Sequence, residues 1–226
     1  MTYTPAPSRA PFPEKRESAL IGVLALQGDF AEHVAALLDC GVEGIDAIEV
    51  RTLAELDEID GLIIPGGEST TIARLLIAFD LMEPLRARIR GGLPVWGTCA
   101  GAIMLANEVT NLDRPPIAAM DITVERNAFG RQVDSFEEDL DIAGMEGPPL
   151  RAVFIRAPVI TRTGPQVQVL GRLRNGRVVA ASEGRLLATA FHPELTPDRR
   201  MHALFARMVF DQAPANAPAS VRVESD

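Results

Sequence analysis

The chain predicts an α/β fold: a three-layer sandwich in which a mixed, largely parallel central sheet is flanked by helices. Three observations carry that reading. In the first half, apolar runs of strand length alternate with segments whose apolar residues recur at helical spacing. In the second half the pattern shifts to alternating strands, with Asn175 and Gly176 placed as a hairpin turn. Two glycine-containing junctions, one at Gly66 and Gly67 and one spanning Gly97 to Gly101, join a strand to a helix.

The elements follow in chain order. Leu20 to Leu26 is a continuous apolar strand. Asp29 and Glu32 have the spacing of a capping box for a helix that buries Val34, Leu37 and Leu38, with Cys40 as a buried or helix-end thiol. Leu62 to Ile64 reads as a core strand, and Ser69 or Thr70 as the cap of a helix near Thr71 to Phe79. A second helix spans Glu83 to Arg90. Leu93 to Trp96 is a buried strand and Ala102 to Leu105 the apolar start of a helix. Met120 to Arg126 and Ala152 to Pro158 read as strands, Val167 to Ser182 as a hairpin, and the run after Arg185 as a strand that Pro193 stops. The last helix, Asp198 to Phe210, presents Met201, Leu204, Phe205, Met208 and Val209 to the core. Residues 1–18 are expected to be a flexible N-terminal extension, 19–210 a single domain and 211–226 a flexible tail rich in Pro and Ala. There is no internal repeat.

Composition narrows the function class. A chain of 226 residues can bury one substantial core without a second domain. With 22 Lys and Arg against 31 Asp and Glu, the formal charge of -9 argues against a nucleic-acid surface. No stretch reaches the roughly 18 apolar residues of a membrane span, and the first residues lack the apolar core of a signal peptide. Two cysteines do not make a disulfide framework in a chain this long. A reducing, cytoplasmic location is therefore expected.

The chemistry concentrates at Cys99. Small neighbours in Gly97-Thr98-Cys99-Ala100-Gly101 allow a sharp turn and close approach of a substrate to the sulfur. The following helix N-terminus favours a thiolate. A buried inert cysteine is the alternative. His192 ends an apolar strand, and Glu194 lies near enough in sequence to orient its ring, giving attack, proton transfer and tautomer control to three residues. A histidine could also merely close the strand. The exposed amides of Pro65 to Thr71 could stabilise an oxyanion, hold phosphate or form a turn. That segment lacks the lysine of a phosphate loop, which weakens nucleotide binding. Arg126 offers a fork for a carboxylate, or a solvated arginine paired with Glu125.

Six segments together are more specific: ALQGD (25–29), PGGESTT (65–71), GTCAGA (97–102), VERNAFGRQVDSFE (124–137), FIRAPV (154–159) and FHPELT (191–196). From about Leu20 to Phe210 the chain closely resembles the glutaminase subunits of pyridoxal 5'-phosphate synthase, within the triad glutamine amidotransferases. The cysteine turn and His-Pro-Glu mark the broader class, and the long 124–137 segment marks the vitamin B6 branch.

The resemblance implies hydrolysis of glutamine to glutamate and ammonia. It makes Cys99 the nucleophile, His192 the general base and acid, and Glu194 the orienting acid. It gives Gly67 and Ala100 as oxyanion donors, and Gly67, Glu68, Ser69, Arg126, Ile155 and Arg156 as the residues that hold glutamine. It implies no cofactor and no metal. The implied partner is a synthase barrel subunit that takes up the ammonia within a large hetero-oligomer and switches the glutaminase on. A noncatalytic regulatory or assembly protein is the alternative.

Overall fold

The structure is a computed structural model that describes residues 18–110, 112–126, 128 and 135–210. The expected terminal extensions, apart from Ser18, and most of 127–134 in the long motif lie outside the described residues. In chain order the elements are β1 (Ala19–Leu24), α1 (Phe30–Leu38), β2 (Ile45–Val50), α2 (Leu53–Glu58), β3 (Gly61–Ile64), α3 (Ser69–Ala78) and α4 (Met82–Arg90). There follow β4 (Val95–Thr98), α5 (Ala100–Leu105), β5 (Ala106–Thr110), β6 (Met120–Glu125), β7 (Ser135–Leu140), β8 (Leu150–Ile155) and β9 (Val159–Thr163). The chain closes with β10 (Gln168–Arg172), β11 (Val178–Glu183), β12 (Leu186–Thr189), a 3-10 turn at Pro193–Leu195, and α6 (Arg200–Phe210).

The main sheet has the order β2-β1-β3-β4-β12-β11-β9-β6-β5, with β10 paired to β11. From β2 to β12 every neighbour is parallel, while β11 and β9 are joined to their neighbours antiparallel. The expected mixed, largely parallel sheet is present. The side chains explain why it is covered on both faces. Along β3, Leu62 and Ile64 enter one core and Ile63 the other; along β4, Val95 and Trp96 divide in the same way. That period of two sends apolar side chains to both sides of a pleated strand. On one face they meet Ile72 and Leu76 of α3, Leu85 of α4 and Ile103 of α5. On the other they meet Leu37 of α1 and Met201, Phe205 and Val209 of α6. Each large side chain fully removed from water contributes about 1.5–3 kcal/mol, so this double burial is what fixes the layers.

Several local expectations change. Asp29 precedes α1 but makes no side-chain cap, so it forms no capping box with Glu32. Leu38 is 59% exposed, and His33, Ala36 and Leu37 are the buried residues of α1. The capping box sits instead at α2, between Thr52 and Glu55. The cap of α3 is Glu68, whose carboxylate accepts from the N–H groups of Thr70 at 3.1 Å and Thr71 at 2.7 Å; Ser69 begins the helix. The strand before His192 ends at Thr189; the Ala190 N–H still donates to Val179 of β11, and the His192 N–H turns to Val153 of β8. The β7 and β8 hairpin stands apart from the main sheet, and Phe136 stacks on Phe154 at 4.5 Å.

Candidate active site

Three adjacent parallel strands, β3, β4 and β12, end at the same edge of the sheet. Ile64 is level with Gly97 and Thr189 with Thr98. The chain leaving β3 is Pro65-Gly66-Gly67, the residue leaving β4 is Cys99, and the one leaving β12 leads to His192. Register therefore converges segments that are far apart in sequence, at the carboxyl ends of the strands where α/β folds place their sites.

Cys99 occupies a strained turn, with φ 46° and ψ -102°. Its N–H donates to Thr189 O at 2.8 Å and its carbonyl accepts from Ile103 N–H at 3.3 Å, which ties the turn to β12 and α5. The glycines beside it are needed for space. A β-carbon on Gly101 would lie 2.0 Å from Ile64 O, and one on Gly97 would lie 2.4 Å from Gly101. Such strain persists only where the surroundings over-determine it, and here it aims a thiol away from the sheet at the start of a helix.

The His192 Nδ1 lies 2.7 Å from Glu194 Oε1 and 3.6 Å from Asp29 Oδ2. Burial disfavours a charge on the ring, yet hydrogen bonds and charge from Cys99 and Glu194 outweigh it and raise its pKa to about 10. Glu194 is also raised, by burial first, against the His192 bond that lowers it. The two directions oppose each other for an ion pair. The short bond and the pull of Cys99 favour the imidazolium, which offers an N–H at each ring nitrogen. Asp29, His192 and Glu194 bring ligand-type atoms within 4.8 Å of one another. With Nδ1 bonded to Glu194, these groups suit holding a proton better than holding a cation.

A cleft of about 350 Å³ is lined by Gly67, Glu68, Ser69, Cys99, Ala100, Arg126, Ile155, Arg156 and His192, together with Asp29 and Ile103. All the sequence-predicted site residues meet there except Glu194, which is buried behind His192. Two larger clefts, about 600 and 650 Å³, lie elsewhere and contain none of these residues. Arg126 reaches across to Glu68, Nη2 to Oε1 at 3.3 Å. Burial pulls the Glu68 carboxyl upward, but the donors of Thr70 and Thr71 prevail and hold it below its ordinary value. Arg156 adopts φ 46° just after β8, and the carbonyl of Ile155 lies 3.9 Å from Cys99 Sγ.

The Gly67 backbone is equally constrained. It has φ 150°, and a β-carbon there would meet Gln27 Oε1 at 2.4 Å. That same oxygen accepts from Glu68 N–H at 2.7 Å. Sequence reasoning does not place Gln27, Asp29 or Ile103 in the site, although the first two belong to the ALQGD segment. The role of Gln27 and Asp29 depends on the loop after β1 folding over Gly66 and Gly67, which no local pattern announces.

Comparison with known proteins shows which family the chain belongs to. The protein named pyridoxal 5'-phosphate synthase subunit PdxT from Acidothermus cellulolyticus is 57% identical over 199 residues, covering 85% of this chain and 95% of the relative. The protein of the same name from Frankia alni is 58% identical over 191 residues, covering 84% and 94%. A crystal structure described as a glutamine amidotransferase matches with TM-score 0.77 and 48% identity, over 84% of this chain and 98% of the other. A structure described as a GMP synthase component from Thermoplasma acidophilum, 16% identical with TM-score 0.60 over 86% and 95% of the two chains, shares the fold. The family model for SNO glutamine amidotransferases matches residues 23–211, a span that holds the strained cysteine turn, the His192 and Glu194 pair and the cleft between them. With that span matched, this chain belongs to the SNO glutamine amidotransferase family.

Proposed function

We propose that this glutamine amidotransferase hydrolyses L-glutamine through a thioester on Cys99 and delivers the ammonia to a pyridoxal 5'-phosphate synthase partner. The observation that carries the reading is the shared edge of β3, β4 and β12, where a thiol, an imidazole backed by a carboxylate, and a glycine loop surround one cleft.

Glutamine enters with its side-chain amide toward Cys99 and its α-carboxylate toward Arg126. Glu68, Ser69, Ile155 and Arg156 line the remainder of the pocket. Cys99 sulfur bonds to the amide carbon, and the carbonyl electrons move to oxygen, where the N–H groups of Gly67 and Ala100 receive the negative charge. Ala100 is the first residue of α5, so its N–H has no intrahelical acceptor. The His192 imidazolium gives its proton to the departing nitrogen, the C–N bond breaks, and ammonia leaves. Neutral His192 then takes a proton from water as the hydroxyl adds to the thioester carbon. Collapse expels the Cys99 thiolate and frees glutamate.

The names of the relatives at 57% and 58% identity support the partner. Ammonia free in neutral water is mostly protonated, so an enzyme that consumes it benefits from direct transfer. The free chain is proposed to be weakly active until the synthase binds, because a donor loop that is misdirected forfeits about 2.7–4 kcal/mol of transition-state stabilisation. The test is glutamate release by the wild-type chain and by Cys99→Ala, each with and without the cognate synthase. Turnover confined to the wild-type mixture supports the reading. Turnover by the alanine variant overturns the mechanism, and equal kcat with and without synthase overturns the activation.

A further inference from the structure

All three histidines of the chain, His33, His192 and His202, lie in one buried file leading inward from the cleft. His192 is bonded to Glu194 Oε1. The second oxygen of that carboxylate, Oε2, is buried and faces His33 Nε2 at 3.2 Å, off the line of a full hydrogen bond. The same His33 nitrogen lies 3.1 Å from Thr98 Oγ1, a hydroxyl that accepts if the nitrogen carries a hydrogen and donates if it does not. Behind it, His33 Nδ1 is 3.0 Å from His202 Nε2. The last atom of the file, His202 Nδ1, has no hydrogen-bond partner among the described residues. Trp96 stands edge-on to both rings, with centroids 5.8 Å from His33 and 5.0 Å from His202.

The hydrogens can be assigned by elimination. Burial, then the neighbouring His202 and His192, hold His33 well below its ordinary pKa, and burial followed by Arg199 pushes His202 down to about 3. Both rings are therefore neutral, with one N–H each. If His33 carried its hydrogen on Nδ1, it would donate to His202 Nε2. His202 would then carry its own hydrogen on Nδ1, buried with no acceptor, while Glu194 Oε2 faced the lone pair of His33 Nε2 and gained no donor from it. In the other arrangement His202 donates from Nε2 to His33 Nδ1, and His33 donates from Nε2 toward Glu194. The unpartnered atom is then only a lone pair, and an orphaned acceptor is less costly than an orphaned N–H.

We propose that His33 is a positioning residue of the triad: as its Nε2–H tautomer, fixed by His202, it holds Oε2, the inner oxygen of Glu194, and so sets the carboxylate that orients His192. A buried carboxylate with one oxygen unpaired would rotate or take up a proton, and either change releases the imidazole. Among the described residues that line the cleft, His192 is the one member of the file. The rest of the file is thus the support behind the reacting residues.

Only the kinetic arm of the test rests on the glutamine-hydrolysis reading. The first measurement is nitrogen NMR of the full chain with labelled histidine. His33 is expected to be neutral with its hydrogen on Nε2, and a hydrogen on Nδ1 overturns the proposal whether or not the chain hydrolyses glutamine. The second compares His33→Gln, whose amide can donate from the position of Nε2, with His33→Leu, which fills space without a donor. With the synthase present, His33→Leu should lose about 10- to 100-fold in kcat at little-changed KM, the range found for groups that orient a metal-ligating histidine. His33→Gln should recover most of that loss. Wild-type kcat in His33→Leu, or folded Gln and Leu variants equally impaired, overturns the proposal. A wild-type chain that releases no glutamate even with synthase refutes the function instead, and the tautomer measurement still decides the role of His33.

Discussion

A β-carbon placed on Gly66 would stand 2.4 Å from Cε1 and 2.9 Å from Nδ1 of His192, so the imidazole packs against backbone that only glycine leaves bare. The glycine loop and the imidazole, the proposed oxyanion loop and general base, are thus in mechanical contact. Gly66→Ala must push the ring away from Glu194 or the loop away from Cys99. A misplacement of about 1 Å costs on the order of 10²-fold in rate. The variant should keep its circular dichroism spectrum and lose about that factor in glutamate release.

The tight elbow predicts a different defect. Gly101→Ala sets a β-carbon 2.0 Å from the Ile64 carbonyl oxygen, which belongs to β3 and cannot rotate aside. Overpacking of this kind destabilises by about 1–3 kcal/mol. Urea unfolding should show a lower midpoint at unchanged slope, along with lost activity.

Arg126 carries the specificity prediction. Its side chain is 20% exposed and reaches Glu68 across the cleft, which leaves the guanidinium fork beside the place of the substrate carboxylate. Arg126→Ala should raise the KM for glutamine by about 10- to 100-fold with kcat much less affected, the range of a charge-assisted bond worth about 1.5–3 kcal/mol. Unchanged KM would remove Arg126 from the carboxylate site.

Stability should depend on pH in two windows. His33 and His202 have folded pKa values below the ordinary 6.5, His202 at about 3, so the native state binds fewer protons than the unfolded chain. They leave stability untouched above about pH 6.5 and remove it as pH falls from there. His192 works in the opposite sense: its folded pKa, raised from 6.5 to about 10, adds stability that is full below 6.5 and is lost as pH rises through 10. Urea midpoints near pH 5, 7.5 and 10.5 should therefore be highest in the middle. His202→Phe should flatten the acid side.

Much of this molecule is legible in the residues because its strands are buried on both faces. Leu62 to Ile64 and the run to Trp96 announce themselves as continuous apolar segments, and the parallel sheet follows. Strands with mixed surfaces are less visible. In β7, Phe136 and Leu140 alternate with charged residues, and in β2 only Val50 is fully buried, so neither has a strong apolar signal. The proposed catalytic residues are legible from local chemistry, since glycines flank Cys99 and proline follows His192. The inner file is not. His33 has the helical spacing of an ordinary polar position, and only the docking of α1 against the sheet, α6 and the 3-10 turn brings it to Thr98, Glu194 and His202. Asp29 misleads for a related reason: its carboxylate turns to His192, where a cap was expected.

The most direct test of the account is to find the covalent intermediate. The chain is mixed with its synthase and glutamine, quenched in acid during turnover, digested and examined by mass spectrometry. The chain has one other cysteine, Cys40, buried at the end of α1, which serves as an internal control. A glutamyl group is expected on the peptide containing Cys99, absent from Cys99→Ala and never found on Cys40. Steady glutamate release from a folded Cys99→Ala chain, or a glutamyl group on Cys40 alone, would contradict it.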